Sequence, residues 1–175
     1  MDSNSKSAFM PSLTSGLVLG VILVIYSLIL YVVGLNENQW LAAISYVITA
    51  IVLFFIIVNF RDKQQGGFIA YGKGVSVGTL AGFFASIILA IFTYIYVTYI
   101  DPSVIEKALV QAEESILARQ PNMSDEELDN AMKMVEIFTS PVLMATMSIF
   151  WYTLVSLVFS LLISIFAKRE DTNIA

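Results

Sequence analysis

The sequence contains no cysteine and no histidine. Without cysteine the chain can form no disulfide, no thiolate nucleophile and no cysteine-based metal site. Without histidine it lacks the side chain that most often carries protons near neutral pH. Together these absences exclude much of the common catalytic chemistry, and we expect a protein that is not an enzyme and uses no cofactor.

Charged residues are also scarce, at 13% of 175 residues, whereas 58% of the residues are hydrophobic. This is too apolar for a water-facing surface, so a lipid bilayer is the expected surroundings. The charged residues separate four long apolar runs, which we assign to membrane spans at about residues 12–35, 40–60, 73–100 and 141–167. Each run reaches the roughly 20 residues that cross about 30 Å of hydrocarbon. The whole chain, 1–175, is then a single membrane domain.

The runs are apolar on every side, which favours helices. A membrane β-barrel needs strands in which apolar and polar residues alternate, and stretches such as IVLFFIIV at 51–58 do not alternate. The predicted fold class is therefore an all-α membrane protein with four transmembrane helices.

The charges outside the spans differ between the two sides of the membrane. The connections of four spans alternate sides, so both termini and residues 61–73 share one side, which has six basic and four acidic residues. The opposite side has three basic and ten acidic residues. Basic residues near span ends concentrate on the cytoplasmic side. We therefore predict that both termini are cytoplasmic and that the long connection between the third and fourth spans lies outside.

This long connection has the pattern of two amphipathic helices. Asp101 and Pro102 suit the N-cap and first position of one helix. Ser124 and Glu127 match a capping box that begins a second helix. Pro141 suits the first position of the last span and allows a bend there. We predict an amphipathic helical hairpin with an acidic outer face.

The predicted hairpin, at about residues 101–138, could hold a cation. Asp125, Asp129 and Glu136 loosely match the spacing of a calcium-binding loop. However, Asn130 replaces the glycine that such a loop needs, and the stretch is typical of a helix. We favour a solvated acidic helix face over a metal site.

Small residues recur at every fourth position of the third span, which is the strongest local pattern in the chain. They are Gly74, Gly78, Gly82, Ser86 and Ala90, and the fourth span has Ser156, Ser160 and Ser164 at the same spacing. A glycine in a helix costs roughly 1 kcal/mol relative to alanine, so a row of glycines indicates close approach of a neighbouring helix. We predict that the two rows face each other. The first span adds only Gly16 and Gly20, and for all these residues we favour packing within the chain over a homodimer face.

No charged residue lies in the interior of any span. Such residues commonly mark ion paths and proton relays. We therefore favour a non-enzymatic accessory or structural component that contacts the lipid bilayer and a membrane-protein partner or second copy, without a nucleic-acid partner. The alternative is a small oligomeric channel or carrier for an uncharged or small solute, lined by hydroxyl and backbone groups. An intramembrane enzyme ranks third, because paired carboxylates and a nucleophile with its base are missing from the spans.

Five stretches occur in a particular order along nearly the whole chain. They are Phe68-Ile-Ala-Tyr-Gly72, Gly78, Tyr99-Ile-Asp101-Pro102, Met123-Ser-Asp-Glu-Glu-Leu128 and Ser140-Pro141. Together they resemble the bacterial family catalogued as domain of unknown function 4199. The resemblance implies a four-helix protein of the inner membrane with a long connection between the third and fourth helices, so that the hairpin would be periplasmic. It carries over no functional residues.

Overall fold

The computed structural model of the protein describes residues 7–169. They form six helices, α1 (Phe9–Val32), α2 (Gln39–Gln64), α3 (Tyr71–Ile95), α4 (Ser103–Arg119), α5 (Asp125–Phe138) and α6 (Pro141–Ala167). The third helix continues into a π turn, Tyr96–Ile100, after which the Asp101 N–H donates to the Tyr96 carbonyl at 2.8 Å. No strand occurs within residues 7–169, and the predicted all-α class is confirmed.

Four helices in the described part of the chain are long and apolar enough to cross a membrane. They are Phe9–Val32, Gln39–Gln64, Tyr71–Ile100 and Pro141–Ala167. The predicted spans overlap these helices and differ by a few residues at their ends, because helix ends depend on caps and turns as well as on hydrophobicity. Large apolar side chains cover the outer surfaces of the helices, with Phe55 64% and Phe166 81% exposed. This distribution is typical of a surface that contacts lipid and indicates a membrane protein.

The chain divides into two compact units, of which the first contains residues 7–89 and 149–169 of the described part. It comprises α1, α2, most of α3 and most of α6. Two apolar clusters form its core, one around Leu19, Leu53 and Ala81 and the other around Ile57 and Val77. The buried polar side chains of this unit are mostly small hydroxyls, namely Ser12, Thr49, Ser86, Ser156, Ser160 and Ser164. Small buried side chains let the helix backbones approach closely.

The connection between α1 and α2 is short and well capped. Gly34 follows α1 with a φ of 69°, a conformation that favours glycine. The Asn38 side chain then accepts from the N–H groups of Trp40 and Leu41 at 3.0 and 3.3 Å and caps α2. Tyr26 donates its hydroxyl to the Leu41 carbonyl at 2.6 Å, which joins α1 and α2 directly.

The second unit contains residues 90–148. It comprises the end of α3, the π turn, α4, α5 and the start of α6. The helices α4 and α5 contact each other, and neither contains a buried residue. Their apolar positions are half-buried rather than enclosed, as at Leu109 and Val135.

The beginning of α4 differs from the prediction. Pro102 is the N-cap, the helix begins at Ser103, and no side chain caps this end. The prediction that Asp101 is the N-cap was wrong, because its carboxylate accepts the Ser103 hydroxyl at 2.5 Å instead of a backbone N–H. The π turn that precedes it also takes up the Asp101 N–H, an arrangement that hydrophobic periodicity does not predict.

Candidate functional site

The small-residue rows of α3 and α6 lie side by side within the first unit. The facing pairs are Gly74 with Ser164, Gly78 with Ser160, and Gly82 with Ser156. A Cβ atom built on Gly74 would lie 2.8 Å from Ser164 Oγ, and one built on Gly82 would overlap both Cβ and Oγ of Ser156. We call these three pairs the α3–α6 seam. A side chain larger than hydrogen at its glycines requires displacement of a neighbour.

The hydroxyl groups along this seam do not form a connected chain. The Ser86 hydroxyl donates to the Phe83 carbonyl at 2.6 Å and lies 3.3 Å from Thr153 Oγ1. By contrast, the hydroxyls of Ser160 and Ser164 are buried without a hydrogen-bond partner among the described residues. A proton relay or a path for a polar solute needs a continuous series of polar groups within hydrogen-bond distance of one another. The small size of these serines is therefore their evident contribution.

Ala90, the last member of the α3 row, lies in the second unit, where it is buried. Six of the eight residues that the sequence placed in the two rows face one another in the first unit, and a seventh, Ser86, contacts Thr153 of α6, which lies outside the predicted row.

The first helix approaches α3 on another side. A Cβ atom built on Gly16 would overlap the Ala81 carbonyl oxygen, and one built on Gly20 would lie 3.0 Å from the Ala85 carbonyl oxygen. One turn nearer the start of α3, the Ser12 hydroxyl donates to the Val77 carbonyl at 3.1 Å. These contacts follow every fourth residue of α3, so α3 has close neighbours on two sides within this unit.

A buried arginine joins the ends of α2 and α6. Arg61 is 8% exposed, and its Nη1 donates to the carbonyl of Ala167, the last residue of α6, at 3.1 Å. Its Nε and Nη2 donate to the two carboxylate oxygens of Asp62 at 2.7 and 3.2 Å. In the same unit, Ile69 and Arg169 exchange two backbone hydrogen bonds at 3.0 and 3.1 Å. The guanidinium is thus engaged by a carboxylate and a helix C-terminus, a favourable position for a cation.

Sequence reasoning missed this cluster entirely. Arg61 lies in the last turn of α2, and its carbonyl partner is 106 positions away along the chain, so no local pattern connects the two. The only available signal was an arginine directly followed by an aspartate, which is common on helix surfaces.

The first unit has a small cavity that is lined in part by residues of α2. Its volume is about 40 Å³, and Ser15, Asn59 and Gln64 supply polar groups to its lining. This space is large enough for only a few water molecules. It is far smaller than the roughly 300–1,000 Å³ of a typical small-molecule site.

The π turn places a small polar group at the end of the third span, in the second unit. The Asp101 carboxylate accepts the Ser103 hydroxyl and lies 3.5 Å from the Tyr96 hydroxyl. Thr98 Oγ1 nearby along the turn is buried without a hydrogen-bond partner in the described residues. One carboxylate with two hydroxyls nearby can fix the local backbone geometry at the end of the span.

The acids proposed as weak cation ligands are not assembled. Within residues 7–169, no three His, Cys, Asp or Glu side chains lie where they could hold a metal ion. The Asp129 carboxylate instead pairs with Lys133 Nζ at 2.6 Å, and this bond raises the pKa of Lys133 above its ordinary value. Asp125 and Glu136 lie in the first and last turns of the same helix, so its rise separates them.

The capping box at the start of α5 is formed. The Glu127 N–H donates to Ser124 Oγ at 3.4 Å, and the Ser124 N–H donates to Glu127 Oε2 at 2.9 Å. The Ser124 backbone and hydroxyl bonds favour the ionised carboxylate and lower the pKa of Glu127 below its ordinary value. At the other end of the connection, Pro141 is the first residue of α6.

Comparison with known proteins gives one match. Residues 14–169 match the family described as protein of unknown function (DUF4199). This confirms the resemblance inferred from the five stretches. No curated protein and no solved structure matches the chain.

Proposed function

Because this chain belongs to the DUF4199 family, whose function is unknown, we propose from its geometry that it is a non-enzymatic accessory component of a bacterial inner membrane. In this proposal the four long helices anchor the protein. The helices α4 and α5 form a periplasmic hairpin that contacts a partner membrane protein.

The incomplete burial of α4 and α5 is the observation that carries the proposal. These helices have 17 and 14 residues, and neither has a single buried residue. An isolated helix as short as α5 is marginal in water, and for helices of either length most stability in proteins comes from packing of an apolar face. The apolar side chains of α4 and α5 are only half-buried, so contact with a further surface would stabilise both helices. In this proposal a partner protein provides that surface.

The charge of this segment supports a partner with a basic contact surface. Residues 101–138 contain nine acidic and three basic residues, a net charge of −6. Glu113, Glu114 and Glu126 are exposed on the two helices. Complementary charges at an interface raise association rates and select among partners. We expect binding that weakens as the salt concentration rises.

The closed packing of the first unit favours this role over conduction. The α3–α6 seam admits no side chain larger than hydrogen at Gly82, and the cavity of about 40 Å³ is too small for an organic solute. A channel or carrier would need a polar path through these contacts. The alternative is a channel or carrier. It is tested by measuring solute flux into liposomes that contain the purified protein, and flux above that of protein-free liposomes would support it.

The orientation in this proposal rests on the six basic residues of the side that holds both termini. The natural absence of cysteine makes the test direct, because each introduced cysteine is the only thiol. In intact spheroplasts, a membrane-impermeant maleimide should label Ser115→Cys and leave Ser7→Cys unlabelled until the membrane is opened. Labelling of both from the same side would contradict the four-span arrangement.

Site-specific photo-crosslinking tests the partner. A photoreactive amino acid at Glu114, on α4, should give a discrete protein adduct in cells that express the chain natively. The same amino acid at Phe55, on the apolar outer surface of α2, should give lipid adducts instead and serves as the control. The double change Glu113→Gln and Glu126→Gln should reduce the adduct yield. If several positions on α4 and α5 give no protein adduct, the interaction role is wrong.

A further inference from the structure

The last half of α5 has an exposed apolar edge. Met134, Ile137 and Phe138 are each 56% exposed. Their spacing of three and four residues places them on one side of the helix. The half-buried apolar residues Leu128 and Val135 lie on a different side of the helix, so this edge is separate from the half-buried stripe.

This edge continues into a membrane span within the same unit. The fifth helix ends at Phe138 and α6 begins at Pro141. On α6, Val142 is 67% exposed and Met147 is 48% exposed, and both belong to a helix apolar enough to span a bilayer. The end of α5 therefore lies within about one helical turn of the point where the chain enters the membrane.

Charge is distributed unevenly along α5. Its first turn contains Asp125, Glu126 and Glu127, whereas the charged residues of its C-terminal half are Lys133, which pairs with Asp129, and Glu136. Successive helix positions differ by about 100°, which places Glu136 on nearly the opposite side from the midpoint of the apolar edge. The C-terminal half of α5 can thus approach lipid without bringing a carboxylate into it.

The junction between α5 and α6 satisfies its own backbone groups. Thr139 donates both its N–H and its hydroxyl to the Val135 carbonyl, at 2.8 and 2.9 Å. Ser140 likewise donates its N–H and its hydroxyl to the Ile137 carbonyl, at 3.2 and 2.7 Å. Pro141 has no N–H to satisfy. Near hydrocarbon, water is scarce and polar groups need internal partners, so this pattern suits a junction at membrane depth.

We propose that the C-terminal half of α5 lies in the headgroup region of the bilayer, with Met134, Ile137 and Phe138 directed into lipid. The bound partner is the lipid surface itself. This makes α5 an interfacial helix whose acidic start is in water and whose end is anchored, a placement that the partner-binding role does not require.

Site-directed spin labelling of the cysteine-free chain tests this placement. Single variants Met134→Cys, Ile137→Cys and Phe138→Cys are labelled and reconstituted in vesicles of phosphatidylethanolamine and phosphatidylglycerol. Power saturation then measures collisions with oxygen, which concentrates in lipid, and with a nickel complex, which stays in water. Glu136→Cys is the matched control, because it shares the axial position of Ile137 and faces away. Asn130→Cys, one turn towards the start of the helix, is the second control.

We expect the ratio of oxygen to nickel accessibility to be severalfold higher at the three edge positions than at Glu136 and Asn130, and to rise from Met134 to Phe138. Nickel accessibility equal to that of the controls would show a water-exposed edge and overturn the proposal. Low accessibility to both reagents would show an edge covered by protein, by a second copy or by α6, and would overturn it equally. The three labels are separate variants on exposed positions, so misfolding of one, detected by gel filtration, leaves two that decide.

Discussion

Gly82 of α3 and Ser156 of α6 face each other so closely that a Cβ atom on the glycine would overlap the Cβ atom of the serine. A Cβ atom is fixed to the backbone and cannot rotate away. The contact between these two residues therefore sets the distance between the two helices at this level of the bilayer.

The three glycines of the seam should differ in their tolerance to alanine. At Gly78 the Ser160 Cβ would lie 2.9 Å from the new atom, and at Gly74 the nearest atom is a hydroxyl at 2.8 Å. Overpacking costs about 1–3 kcal/mol, and alanine returns about 1 kcal/mol of helix propensity. We expect thermal stability in detergent to fall most for Gly82→Ala, less for Gly78→Ala and least for Gly74→Ala.

Gly72→Ala is the matched control for that series. It lies on the same helix, and a Cβ atom there would meet nothing within 4 Å. The change should be neutral or should stabilise by up to about 1 kcal/mol. Equal losses at Gly72 and Gly82 would show that the effect is unrelated to the seam.

Removing the hydroxyl of Ser160, which has no hydrogen-bond partner among the described residues, should affect stability less than removing the hydroxyl of Ser86. Removing a buried hydroxyl without a hydrogen-bond partner relieves a desolvation cost, so Ser160→Ala should be neutral or stabilising by up to about 1 kcal/mol. Ser86→Ala removes the hydroxyl that contacts Thr153 Oγ1 across to α6, and should destabilise by roughly 0.6 kcal/mol. Chemical denaturation of the two variants in the same detergent measures the difference. A large loss for Ser160→Ala would reveal a bond that its hydroxyl makes in the bilayer.

Arg61 should hold the end of α6 in place. Arg61→Leu removes a charged hydrogen bond to the Ala167 carbonyl, worth about 1.5–3 kcal/mol. We expect faster hydrogen exchange at the N–H groups of Ile69 and Arg169, whose bridge lies at that end. Lys63→Leu, on the exposed side of the same helix turn, should leave exchange at both groups unchanged. Identical protection in the Arg61 variant would contradict this role.

Acid should open the start of α5. Because the folded state lowers the pKa of Glu127, its capping bonds contribute stability above the ordinary glutamate pKa. This contribution is lost as the pH falls through the lowered value. Nuclear magnetic resonance of the Ser124 and Glu127 amides should show the loss of both bonds in that acidic range.

Two glutamine variants check the origin of this pH dependence. Glu127→Gln should abolish it, since an amide does not ionise in that range and can still accept the Ser124 N–H bond. Glu126→Gln, in the same helix turn, should leave it unchanged. A transition that survives Glu127→Gln would assign the pH dependence to another group.

The four long helices could be predicted because a helix that crosses the hydrocarbon core needs about 20 apolar residues, and the uncharged stretches of the sequence have that length. The capping box at Ser124 could be predicted for a similar reason, since both of its partners lie within one turn. Arg61 could not, because its engagement depends on Ala167, which only the folded chain brings near. The π turn before Asp101 also has no signature in apolar periodicity, and it moved the start of α4 past the predicted cap.

The two rows of small residues on α3 and α6 show how far spacing alone can predict helix packing. The four-residue spacing predicted that some helix would approach closely, and it suggested serines as the facing row. It could not predict that α1 would meet α3 at the Ala81 and Ala85 carbonyls, because a single pair of small residues such as Gly16 and Gly20 does not identify the helix that it contacts.

The contacts of α3 on two sides also bear on how the protein is made. During synthesis α1 and α2 precede α3, so the close contacts of Gly16 with Ala81 and of Gly20 with Ala85 form only once α3 follows. The glycine row of α3 contacts α6 only later, because α6 is the last helix to be synthesised. A chain truncated before Ser156 would therefore lack all three serines that face Gly74, Gly78 and Gly82, and this side of α3 would have no α6 against it.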